Sequence, residues 1–108
     1  MPVAEYDGMS LFTAISDPVR RDILGLLLAG EQSAGTLVEA LKLPQPNVSK
    51  HLRALHEAGL VQVRADGPRR LYSIDPLPLE ELDNWLQPYR AFWAGKLDAL
   101  DEHLKRSD

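Results

Sequence analysis

The chain has 108 residues, 44% hydrophobic and 26% charged, which suits one soluble domain with a modest core. Its net charge is −4, yet residues 42–70 hold six Lys and Arg against two Asp and Glu, a basic block in an acidic chain that can attract phosphates. Cysteine is absent and no apolar run nears the roughly 20 residues of a membrane span, which excludes disulfides, thiolate metal sites, cysteine nucleophiles and bilayer-crossing helices.

Residues 1–7 lack the basic start and apolar stretch of a signal peptide, so none is expected and a cytoplasmic protein fits best. A short first helix is predicted over residues 9–15, with Leu11, Phe12 and Ile15 on one side. Asp17-Pro18 then reads as a cap followed by a first-turn proline. The second helix is predicted over 18–29, where Val19, Ile23, Leu26 and Leu27 form an amphipathic stripe. Gly30 stands where a left-handed residue would end it. Ser33 can cap a third helix with Leu37, Val38 and Leu41 inward, ending by Lys42. The turn Lys42-Leu43-Pro44 leads to a fourth helix over 45–58, closed by Gly59 with Leu60 behind it. Two helices over 33–58 joined by so short a turn are a helix-turn-helix candidate.

The period then changes to two. Val61, Val63 and Ala65 alternate with Gln62 and Arg64, Asp66-Gly67-Pro68-Arg69 reads as a hairpin loop, and 70–75 as the return strand. Tyr72 and Ile74 can face the core, and Pro76 and Pro78 end the sheet. A long helix follows over about 79–105. Leu79, Leu82, Leu86, Tyr89, Trp93, Leu97, Leu100 and Leu104 repeat at steps of three and four, close to a coiled-coil seam, and Trp85 and Phe92 widen it. Pro88 should kink or split this helix. So small a domain cannot cover the whole seam, which predicts a homodimer.

On the fourth helix, Val48, Leu52 and Leu55 share one face at 100° per residue, and Pro46, Lys50, Arg53 and Glu57 lie nearly opposite. Asn47 and Ser49 flank the outer face, and Gln45 stands at its start. Amide, hydroxyl and cationic groups on one face suit base edges and phosphates. Many amphipathic helices carry an ordinary solvated face of this kind. The short turn before the helix and the arginine-bearing hairpin after it, with Arg64, Arg69 and Arg70, favour double-stranded DNA as partner.

The runs Ser33-Ala34-Gly35-Thr36-Leu37-Val38-Glu39-Ala40-Leu41 and Gln45-Pro46-Asn47-Val48-Ser49-Lys50-His51-Leu52-Arg53-Ala54-Leu55 resemble the ArsR-type (ArsR/SmtB) winged helix-turn-helix regulators. So do Ile15-Ser16-Asp17-Pro18-Val19-Arg20-Arg21-Asp22-Ile23-Leu24 and Ala58-Gly59-Leu60-Val61. The resemblance implies a mainly α fold in the order α-α-α-α-β-β-α, with a small β-hairpin wing over about 61–75. It implies a homodimeric repressor on a pseudo-palindromic operator, with the first and last helices as the dimer interface. Leu11, Phe12, Leu82, Trp85, Leu86, Tyr89, Phe92, Trp93, Leu97 and Leu100 would form that interface. Gln45, Asn47, Ser49 and Lys50, together with Pro46, His51 and Arg53, fall at recognition positions, and Arg64, Arg69 and Arg70 at wing positions. Pro44 and Pro46 stand where the family often has serine, and Lys42 where it often has glycine.

Many members of that family sense metals through cysteines or Asp/His sets. Here the last helix offers Asp98, Asp101, Glu102 and His103 without a second histidine, so no metal site and no cofactor are expected. No serine elbow, phosphate loop or metal-hydrolase spacing appears, so no enzyme is expected. An inducer could be a small molecule, a protein or absent; the aromatic set over 85–93 could line a pocket but reads better as core and interface packing. The competing function is a winged-helix protein-interaction module without specific DNA binding, which the acidic balance outside 42–70 supports.

Overall fold

Side-chain caps decide where the early helices begin. The computed structural model describes residues 10–106, so residues 1–9, with Met9 of the predicted first helix, lie outside the described residues. Ser10 Oγ accepts the Thr13 N–H at 3.1 Å and opens α1 (Leu11–Ile15). One Asp17 oxygen accepts the N–H groups of Val19 and Arg20 at 2.8 and 3.1 Å and opens α2 (Pro18–Leu27). Those N–H groups favour the charged carboxylate and hold Asp17 below the usual carboxylate range. α2 stops two residues short of the predicted end. Leu28, Ala29 and Gly30 donate to carbonyls three residues back, tightening the last turn, and Gly30 leaves it at φ 128°.

The next stretch corrects the predicted element order. Gln32–Ser33 form a strand, β1, that pairs antiparallel with the hairpin's return strand. Gln32 ties it back to α2 through a side-chain bond to the Leu26 carbonyl. Ser33 also caps α3 (Ala34–Leu41), accepting the Thr36 N–H at 3.2 Å. Lys42 ends α3 in the left-handed region at φ 56°, ψ 40°. α4 (Gln45–Glu57) starts after Pro44, which offers no side-chain cap, so the N–H groups of Asn47 and Val48 rely on the Pro44 carbonyl at 3.0 and 3.2 Å. α4 ends in a Schellman motif, as the Gly59-Leu60 pair predicts. Leu60 N–H reaches the Leu55 carbonyl at 2.9 Å, Gly59 N–H the His56 carbonyl at 3.0 Å, and Gly59 takes φ 80°.

β2 (Val61–Asp66) and β3 (Arg69–Ile74) pair from Val61↔Ile74 to Asp66↔Arg69. The four-residue loop read from the sequence is thus a two-residue turn at Gly67-Pro68, with Gly67 at φ 61°, as a primed hairpin turn requires. The sheet runs β1-β3-β2, so β3 is its central strand. Tyr72 and Ile74 are half-buried, while Leu71, in register with Ser33 and Arg64 on either side, is the buried residue of β3.

The core holds Ile23 and Leu27 of α2, Leu37 of α3, and Val48, Leu52 and Leu55 of α4, joined by Ala14, Leu24, Leu60 and Val61. α5 (Pro76–Arg106) starts three residues before the predicted helix. Asp75 accepts the Leu77 N–H at 3.1 Å as its cap, so Pro76 is a helix starter rather than a stop. α5 also runs unbroken through Pro88, so of the predicted kink or split the split does not occur: one lost backbone donor does not end the helix. By contacts the chain divides into two compact units, 1–78 and 79–108.

Candidate nucleic-acid interface

α4 keeps one face in the core and the other in solvent. Val48, Leu52 and Leu55 are at most 1% exposed, whereas Gln45, Pro46, Asn47, Ser49, Lys50, Arg53 and Glu57 are all exposed. The anchor side holds the helix rigidly, so the polar side is presented without a large entropy cost on binding.

The structure divides the predicted α4 residues between two flanks. Gln45, Ser49 and Arg53, four apart, line a groove closed on its other side by Val63, Tyr72 and the wing arginines Arg69 and Arg70. Pro46, Asn47, Lys50 and His51 line a separate shallow depression on the opposite flank. Two polar residues that the sequence does not assign to the DNA-facing site also line the groove: His56, one turn beyond Arg53, and Ser33, the cap of α3. His56 continues the 45-49-53 stripe and could have been found by spacing. Ser33 could not, because its place follows from the β1–β3 pairing.

The arginines are not equivalent. Arg64 gives Nε and one terminal nitrogen to the two oxygens of Glu31, both at 2.8 Å, a forked ion pair that holds the guanidinium charge even more firmly. Arg69 binds Asp66 across the turn at 2.7 Å and pulls that carboxyl below its ordinary range. Among the described residues Lys50, Arg53 and Arg70 have no carboxylate partner. Of the predicted α4 and wing cations, these three carry the charge that no ion pair offsets.

Another residue missed in the sequence is Arg20, on α2. It donates to the Ala14 and Thr13 carbonyls and lies 3.4 Å from Nδ1 of His51. His51 is accordingly half-buried, unlike the other predicted α4 readers.

On α5 the predicted interface residues Trp85, Tyr89, Phe92, Trp93, Leu97 and Leu100 are 44–65% exposed, while Leu82 and Leu86 are half-buried. Trp85 and Tyr89 pair with ring centroids 4.8 Å apart, and Lys96 sits 5.4 Å from the Phe92 ring centre. On α1, Phe12 is 54% exposed and Leu11 half-buried. Among the described residues no three His, Asp or Glu side chains converge as a metal-binding group, and no helix is long and apolar enough to cross a membrane.

A helix-turn-helix followed by a β wing, with cations facing out from both, defines a winged helix-turn-helix DNA-binding transcription regulator. Comparison with known proteins carries this further. Residues 17–63 match the model of the bacterial regulatory proteins of the arsR family. The transcriptional repressor SdpR of Bacillus subtilis is 36% identical over 77 residues, spanning 71% of this chain and 86% of that one. The HTH-type transcriptional regulator Rv2034 of Mycobacterium tuberculosis is 38% identical over 84 residues, spanning 78% and 76%. An ArsR-like transcriptional regulator from Rhodococcus sp. RHA1 superposes with a TM-score of 0.69 at 30% identity, covering 88% of this chain and 87% of its own. The chain belongs to the arsR family, and its relatives are regulators rather than enzymes.

Proposed function

We propose that the chain is a homodimeric transcriptional repressor that places α4 of each subunit in the major groove of a pseudo-palindromic operator. The observation that carries this is the groove between α4 and the wing, where Gln45, Ser49 and Arg53 face Arg69 and Arg70. Gln45, Asn47 and Ser49 read base edges, and Lys50, Arg53 and Arg70 hold phosphates. Arg69 and Arg64 add to phosphate affinity only as far as Asp66 and Glu31 release them.

The dimer forms through the apolar stripe of α5, and the family resemblance adds Leu11 and Phe12 of α1 to the interface. Exposed Trp, Tyr, Phe and Leu in one stripe make a patch that monomers rarely leave bare. Two copies of α4 then set half-sites about one helical turn, or a multiple of it, apart. Repression by occupancy in the cytoplasm follows, with an inducer that is a small molecule or a protein where one exists.

The test is selection of DNA fragments by the purified protein, followed by gel shift on the selected site at moderate salt. A two-fold symmetric site bound by two chains is the expected result. Failure to enrich any sequence, with a protein partner recovered instead, refutes the reading in favour of an interaction module.

A further inference from the structure

Arg20 reaches from α2 to two other helices. Its Nε donates to the Ala14 carbonyl at 2.7 Å and Nη2 to the Thr13 carbonyl at 3.2 Å, so two carbonyls of α1 fix the guanidinium. The remaining terminal nitrogen, Nη1, lies 3.4 Å from Nδ1 of His51 on α4. A guanidinium has five donors and no acceptor. Nδ1 must therefore be the acceptor of this pair, and the ring proton falls on Nε2. A proton on Nδ1 would instead set two donors face to face.

The Nε2 edge has no hydrogen-bond partner within the protein among the described residues. His51 lines the depression on the flank of α4 with Pro46, Asn47 and Lys50; no carboxylate lines it, and the Asp17 carboxylate, within electrostatic reach of His51, is itself held by the N–H groups of Val19 and Arg20. Lys50 supplies positive charge beside the ring. A fixed N–H donor next to a cation gains more from a fully charged phosphate oxygen than from the neutral acceptors of a base edge.

We propose that Arg20 is a positioning residue, which holds His51 as an Nε2–H donor for a DNA backbone phosphate seated over this depression. The proposal rests on the reading of α4 as the DNA-facing helix. It adds a contact on the flank of α4 away from the wing, and it makes a residue that never touches DNA responsible for that contact.

Two measurements test it. The first is long-range proton–nitrogen NMR of the imidazole nitrogens in the free chain, in mildly alkaline solution where imidazoles are neutral. We expect Nδ1 of His51 unprotonated and Nε2 protonated, and we expect Arg20→Lys to move that ring toward a mixed-tautomer pattern while His56 stays unchanged. The second is binding to the selected operator. His51→Gln, whose amide nitrogen can stand near Nε2, should stay within about threefold of the parent, while His51→Asn, which ends near Nδ1, should lose about tenfold. A protonated Nδ1 in the parent chain, or a ring indifferent to Arg20→Lys, overturns the positioning role. Equal losses for the Gln and Asn variants overturn the phosphate contact. A parent chain that binds no DNA overturns the proposed function instead, and the ring measurement, made without DNA, still decides what Arg20 does.

Discussion

Lys42 is, among the described residues, the one non-glycine at positive φ. The left-handed backbone costs about 1–2 kcal/mol for a side chain with Cβ, and glycine returns about 0.5–1 of that through its freer unfolded state. Lys42→Gly should therefore stabilise the chain by about 0.5–1 kcal/mol, seen as a higher urea midpoint with an unchanged slope. The wing arginines differ by their partners rather than their exposure. Removing Arg70 should lower the steepness of the salt dependence of DNA binding by about one unit, as expected for one lost phosphate. Arg64→Ala should lower it by less, because Glu31 already neutralises that charge. Equal slopes for the two variants would contradict this ranking. Asp17 gives a pH prediction. Its folded pKa lies below its unfolded one, so its contribution is present above the ordinary carboxylate pKa and is lost as pH falls through that range to the folded value. Asp17→Asn, which keeps a capping oxygen but cannot titrate, should flatten the acid side of a Tm-against-pH curve.

At the scale of elements, one residue often serves two. Ser33 ends β1, caps α3 and lines the groove beside α4. Ser33→Ala should cost about 1 kcal/mol of stability through the lost cap, measured by chemical denaturation, with the helix content of the folded state retained. α4 shows the opposite arrangement, with no side-chain cap at all at its start. Its stability comes instead from the buried Val48–Leu52–Leu55 face and the Schellman closure at Gly59. At that start Pro46 has no N–H and the Pro44 carbonyl takes those of Asn47 and Val48, so little of the helix N-terminus is left as backbone donors and its side chains carry the polar surface.

For the whole molecule the question is what covers α5. Phe92 and Leu97 are 65% and 59% exposed, so replacing both with Glu removes little packing within the chain. If the proposed dimer forms there, the double variant should sediment as a monomer, keeping its helical fold and losing the stabilisation that association adds. In the proposed dimer, two half-sites would be engaged at once, so its loss should also weaken operator binding by about a hundredfold. A double variant that stays dimeric would move the interface elsewhere.

Much of this was legible in the sequence. Helix starts at Asp17 and Ser33, the stop at Gly59, the period-two hairpin and the inward and outward faces of α4 all depend on interactions within a few residues. Local patterns carry such information in full. The strand at Gln32–Ser33 did not show, because two residues make no pattern and exist as a strand only where β3 supplies the partner. Neither did the start of α5 at Pro76, where Asp75 turns a presumed breaker into a first-turn residue. The basic block over residues 42–70 was determined by sequence alone. Tertiary structure decided which of its cations remain available, since Glu31 lies 33 residues from Arg64 and meets it only in the folded chain.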